Sequence, residues 1–238
     1  VFINYYRIFG SGDMADYRAF RWDRDEDSLV GIKHFETMKL QDLIGYEYQK
    51  QELLANTKAF VEDKPANNVL LVGARGKGKY SGVKAVVNSF FDKCMRLVQL
   101  TKEQLIDLPV IMERLRDFSS KKFIIFLDDL SFEEFEVEYK YLKSAIEGGA
   151  SAKPENVLIY ATSNRRHLIK ESYKDRGAND DDMHRSDTLN ETISLSDRFG
   201  LIIYYMAPNQ QEYLDIVDGL LKQHGIELSK EELRVKAG

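Results

Sequence analysis

Val69-Leu70-Leu71-Val72-Gly73-Ala74-Arg75-Gly76-Lys77-Gly78-Lys79-Tyr80 carries an uninterrupted apolar run into a glycine-rich turn, and a stretch of helical character follows. The run is apolar throughout rather than alternating, as expected of a strand covered on both faces of a sheet. The turn fits the pattern G-x-x-x-x-G-K at Gly73, Gly78 and Lys79. Glycines let the backbone fold into a nest whose N–H groups, together with the N-terminus of the next helix, face an anion. A lysine at position 79 reaches the outer phosphates of a nucleotide held in such a nest. The competing reading is a plain strand-to-helix turn with surface lysines, which the position between a buried strand and a helix disfavours.

The last place of the pattern is not met. Tyr80 stands where a Ser or Thr hydroxyl would lie close to the backbone and ligate Mg²⁺. A phenol oxygen sits at the far end of a rigid ring and cannot take that place. Ser81 is one residue later, rotated by about 100° around the helix axis, and is a poor substitute. Lys77 adds a second cation to the loop. Gly82, inside the first helical turns, costs about 1 kcal/mol against alanine.

On either side of this stretch, strands and helices alternate. Helices are expected over Gln49–Val61, Lys79–Asp92, Leu108–Phe118, Glu136–Glu147 and Gln210–Gln223, and apolar strands over Met95–Leu100, Phe123–Leu127, Val157–Thr162 and Leu201–Tyr205. Such alternation implies an α/β fold with a parallel sheet of five strands and right-handed crossovers. Residues 1–40 are aromatic-rich without a clean period, and the charged run Asp23 to Asp27 interrupts them. They are expected to form an ancillary helical or irregular segment. The mostly polar stretch 173–192 reads as a long loop, functional or simply solvated.

Three further elements carry candidate chemistry. The strand ending Phe126-Leu127-Asp128-Asp129 puts two carboxylates at the C-terminal edge of a buried strand, where open α/β sheets bind ligands. Asp128 is placed to hold Mg²⁺ or its water shell and Asp129 to polarise an attacking water; the plainer reading is two acids capping a turn. Asn164, at the end of the next strand, can orient a water near a γ-phosphate, or it is a turn asparagine. Arg198, in Ser196-Asp197-Arg198-Phe199, can meet the γ-phosphate of a neighbouring subunit, or it pairs with Asp197 at the surface. Arg165 and Arg166 are weak signs of nucleic-acid contact.

The chain has 238 residues, 43% hydrophobic and 31% charged, with a net charge of −5. This excludes collagen, coiled-coil and disordered classes, and the acidic balance argues against a broadly basic nucleic-acid-coating surface. One cysteine, Cys94, rules out an internal disulfide, and a reducing, cytoplasmic setting is expected. No apolar run approaches the ~20 residues of a membrane span. The four histidines are scattered, so a zinc site is not expected. The start at Val1 rather than at methionine suggests a fragment.

The four elements in this order resemble the AAA+ class of P-loop ATPases. More narrowly, they are similar to a bacterial AAA+ group of unknown function, domain-of-unknown-function 815. The strings carrying the likeness are Pro65-Ala-Asn-Asn-Val-Leu-Leu71, Gly73-Ala-Arg-Gly76, Leu127-Asp-Asp-Leu-Ser-Phe-Glu-Glu134, Asn156-Val-Leu-Ile-Tyr-Ala-Thr-Ser-Asn-Arg-Arg-His167 and Ile193-Ser-Leu-Ser-Asp-Arg-Phe-Gly200. The resemblance implies a three-layer sandwich with a nucleotide-binding core over 41–207, an N-terminal ancillary segment over 1–40, and the start of a helical lid over 208–238. It implies ATP or ADP, with Mg²⁺, at Gly73, Ala74, Arg75, Gly76, Lys77, Gly78, Lys79, Tyr80 and Ser81, with Ile44 and Gly45 touching adenine. Asp128 takes the metal role, while Asp129, Asn164 and Arg198 take catalytic ones. The helicase-loader branch also uses paired aspartates in this strand. A homo-oligomer with Arg198 acting in trans, and a protein or nucleic-acid client remodelled by ATP hydrolysis, are implied, with no membrane partner. Lys77 and Tyr80 depart from the family pattern and put Mg²⁺ binding and turnover in doubt. The alternatives are a nucleotide-responsive switch or scaffold without turnover, and a structural relic that binds none. The sequence assigns no residue to the second-sensor arginine of the lid.

Overall fold

The structure is a computed structural model and describes residues 12–132, 137–148, 153–164 and 198–237. Seven strands form one sheet: β1 (Ala19–Asp23), β2 (Ser28–Gly31), β3 (Val69–Gly73), β4 (Met95–Leu100), β5 (Lys122–Leu127), β6 (Val157–Ser163) and β7 (Leu201–Tyr205). Their order across the sheet is β2-β1-β4-β5-β6-β3-β7. Only the β1–β2 pair is antiparallel. The helices are α1 (Asp13–Asp16), α2 (Glu47–Val61), α3 (Lys79–Ser89), α4 (Leu108–Arg116), α5 (Val137–Glu147), α6 (Gln210–Gln223) and α7 (Lys230–Ala237).

The strands bury alternate residues on opposite faces, so each face needs its own helical cover. Leu71, Ile124, Phe126 and Tyr160 pack with Leu53 and Phe60 of α2 and Val83, Val86 and Val87 of α3. Leu70, Ile125, Leu127 and Ile159 pack with Leu108, Ile111 and Leu115 of α4 and Tyr139 and Leu142 of α5. The outcome is a helix–sheet–helix sandwich. Buried amides tie down the N-terminal edge of the sheet: Asn68 Oδ1 accepts from Ile159 N at 2.9 Å, and Asn156 Nδ2 donates to Leu115 O at 2.9 Å.

Two expectations change. The five expected strands form a continuous parallel set, but the sheet has seven strands because residues 19–31 form a hairpin beside β4 rather than a helical or irregular segment. In β1, Ala19, Phe20 and Trp22 are buried while Arg21 is exposed. The charged run is the hairpin turn. Asp23 Oδ1 accepts from the backbone N–H groups of Asp25 and Glu26, and Asp27 adopts a φ of 47°. Arg24 then pairs with Asp107 at 2.7 Å, and Asp27 with Arg114 at 2.6 Å. The stretch 173–192, together with Arg165 and Arg166, lies outside the described residues.

Candidate nucleotide-binding site

The turn after β3 leaves the C-terminal edge of the sheet next to the ends of β6 and β7. Gly73 is compulsory there: a Cβ would lie 2.3 Å from the carbonyl oxygen of Tyr205 on β7. Gly76 and Gly78 turn the loop at φ 75° and 77°, the left-handed geometry that suits glycine. Such turns point successive N–H groups to one side, and α3 begins at Lys79 directly behind them.

Lys79 is only 7% exposed and folds back over the loop. Its ammonium donates to Gly73 O, to Ala74 O at 2.8 Å and to Asn164 Oδ1 at 3.4 Å. Burial holds it below the ordinary lysine pKa; Asp128 and Asp129 offset this in part and Arg75 adds to it. The two aspartates end β5 as expected but have separate partners. Asp128 Oδ1 accepts from Thr162 Oγ1 at 2.6 Å. Asp129 has a φ of 53°, and its N–H donates to the same Thr162 oxygen at 2.8 Å. Its carboxylate accepts from Asn164 Nδ2 at 2.5 Å and pairs with Arg75 of the loop. Gly73, Arg75, Lys79, Asp128, Asp129 and Asn164 are thus brought together, with Thr162 as the hinge pin between the acids. The sequence reading passed over Thr162 as a strand residue; its place beside Ser163-Asn164 at the strand end was the one available signal.

Ile44 and Gly45 lie elsewhere, at a cavity of about 560 Å³ whose walls are Ile44 to Gln49, Met206 to Pro208 and the first turns of α6. That volume suits a small organic ligand. Helix α6 sits tightly on this wall: a Cβ on Gly45 would be 2.7 Å from Ile216, and one on Gly219 would be 2.8 Å from Ile44. Glu212 and Asp215 also face the cavity. Tyr205 links cavity and loop. Its ring lies 5.0 Å from that of Tyr46, its backbone meets Gly73, and burial pushes its phenol up to about 12.

Arg198 is remote. In the register Val69↔Leu201 and Gly73↔Tyr205, it precedes the N-terminal end of β7, whereas the loop follows the C-terminal end of β3. Five strand residues, at about 3.3 Å each, separate the two edges. It pairs with Glu147 of α5; Asp197, the partner the plainer reading gave it, lies outside the described residues.

The family model for Protein of unknown function (DUF815) matches residues 15–238. The chain belongs to this family. Among curated proteins none matches the sequence. Among solved structures, the DUF815 chain is similar to a Thermotoga maritima RuvB variant, with a TM-score of 0.52 and 19% identity over 82% of this chain and 56% of that one. It is also similar to the structure titled as the Thermotoga maritima RuvB Holliday junction branch migration motor (TM-score 0.50, 17% identity, 80% and 55%). A third likeness is to the E. coli MS115-1 HORMA:CdnC:Trip13 complex (TM-score 0.58, 12% identity, 84% and 76%). The chain spans little more than half the length of the RuvB structures. Its fold is that of the AAA+ P-loop ATPases.

That class implies Mg²⁺ beside the phosphates. The residues of the DUF815 chain do not fit it. The Tyr80 ring lies flat on Phe126 of β5, with centroids 4.7 Å apart and planes 5° from parallel, and its hydroxyl donates to Gln99 Oε1 on β4 at 2.9 Å. Lys84 Nζ stands 4.2 Å from the ring centre and is held by Glu36 at 2.7 Å. Burial, with Asp128 and Glu36, raises the phenol's pKa. The hydroxyl is therefore carried towards strands two and three places from β3, with β6 between. Among the described residues, no group of three or more His, Cys, Asp or Glu side chains is placed to hold an ion. No described helix is long and apolar enough to cross a membrane.

Proposed function

We propose that the chain is an ATP-binding AAA+ module in a reducing, cytoplasmic setting, which binds ATP or ADP with the phosphates over Gly73–Lys79 and the base against Ile44 and Gly45. The convergence of Lys79, Asp128, Asp129 and Asn164 at one sheet edge, beside a cavity of nucleotide size, carries this reading. The binding step follows from the geometry. Lys79 exchanges the carbonyls of Gly73 and Ala74 for phosphate oxygens, which the nest of N–H groups and the α3 N-terminus also attract. Asn164 and Asp129, already joined, are the pair to orient and polarise an attacking water. Arg198 is too far from its own loop and serves only the nucleotide of a second copy, so the active form is a homo-oligomer that couples ATP hydrolysis to remodelling of a protein or nucleic-acid client.

A second reading has its own support. Tyr80 points its hydroxyl at Gln99 and Arg75 covers Asp129, which suits a switch or scaffold that binds nucleotide without turning it over. Titration of a fluorescent ATP analogue tests what the two share: Lys79→Ala should weaken binding by more than about tenfold, and unchanged binding refutes both. Phosphate release by the assembled protein at background level leaves only the switch.

A further inference from the structure

We infer that this loop binds a triphosphate without a divalent cation, its own guanidinium and ammonium groups taking the ion's place. The inference rests on the nucleotide reading above. Two independent observations point to it. The first is the closed metal position: the hydroxyl of Tyr80, the residue that follows Lys79, is locked away, its ring against Phe126 and its oxygen bonded to Gln99. Mg²⁺ needs near-octahedral oxygens at about 2 Å and is normally fixed by protein groups together with phosphates. What is left is Asp128, one of whose oxygens is taken by Thr162.

The second observation is Arg75. Its guanidinium bridges from the loop to Asp129 at the end of β5, so a cation already spans the gap between phosphate loop and strand-end acids that a divalent ion would span. It is tethered to the chain and need not be recruited. The Arg75 side chain is 82% exposed and that of Asp129 43%, and an ion pair so open to water is worth little. Exchange of the carboxylate for a phosphate, which a guanidinium grips with two parallel hydrogen bonds, therefore meets small resistance. Lys77 and Lys79 bring the loop to three cations within five residues, a density suited to neutralising a polyphosphate.

Isothermal titration of the full chain with ATP, in excess EDTA and again in excess MgCl₂, tests this. The two dissociation constants should agree within about threefold. Arg75→Gln, an exposed change that leaves the core untouched, should weaken binding in EDTA by about tenfold or more. Binding in Mg²⁺ that falls more than about tenfold in EDTA overturns the inference and leaves the nucleotide reading standing. Unaltered metal-free binding by Arg75→Gln also overturns it. Absence of binding in both buffers, with a normal melting transition, overturns the nucleotide reading itself and this inference with it.

Discussion

Gly73 stands opposite Tyr205 at the last pair of the β3–β7 register, and one atom decides its identity. An alanine Cβ would overlap the Tyr205 carbonyl oxygen at 2.3 Å, on a backbone with φ 156°. Backbone on both sides leaves no flexible side chain to yield. Gly73→Ala should cost about 2 kcal/mol or more, read as a lowered urea midpoint, and should separate the loop from Tyr205. Residue identity alone revealed this glycine through its motif. It did not reveal the fate of Tyr80. The departure from Ser or Thr was visible, but the partners that hold the ring, Phe126 and Gln99, lie on other strands, 46 and 19 residues away in the chain. Arg75 is a similar case: a loop arginine in the sequence, a partner of Asp129 in space.

Among the elements, β6 does most to shape the site, since Thr162 holds both acids through one hydroxyl. Thr162→Val keeps the volume and removes that oxygen, leaving the Asp129 N–H without its partner at a half-buried place. A loss of about 1–3 kcal/mol is expected, and hydrogen exchange at Asp129 should quicken. The parallel strands were legible because each is predominantly apolar, and Met95–Leu100, Leu201–Tyr205 and Gln210–Gln223 begin and end where the pattern put them. The hairpin was not. Five residues with Arg21 outward and Ala19, Phe20 and Trp22 buried are too few to display a period amid aromatic neighbours. Its place is set by β4, far along the chain.

Across the whole molecule, the two edges of the sheet have different electrostatic characters. At the edge opposite the loop, Lys121 precedes β5 and Lys153 precedes β6. Burial pulls both ammonium groups from 10.5 to about 8, with Arg96 adding to the effect at Lys121. Between about pH 8 and 10 the unfolded chain keeps protons that the folded chain has released, so stability rises with pH over that window. Urea midpoints at pH 8 and 10 check it, and Lys121→Met or Lys153→Met should flatten the rise. The window stops there because Tyr160 and Tyr205, pushed up to about 12, act in the opposite sense at higher pH.

The β1–β2 hairpin has a practical corollary for anyone dissecting this polypeptide. β1 caps the flank of β4 through the pairs Ala19↔Leu97 to Arg21↔Gln99. Trimming back to the motif-bearing portion would strip that cap and bare the main-chain donors and acceptors of β4. A naked ribbon of that kind invites chain-to-chain stacking, so a shortened version would precipitate whatever becomes of the glycine-rich loop.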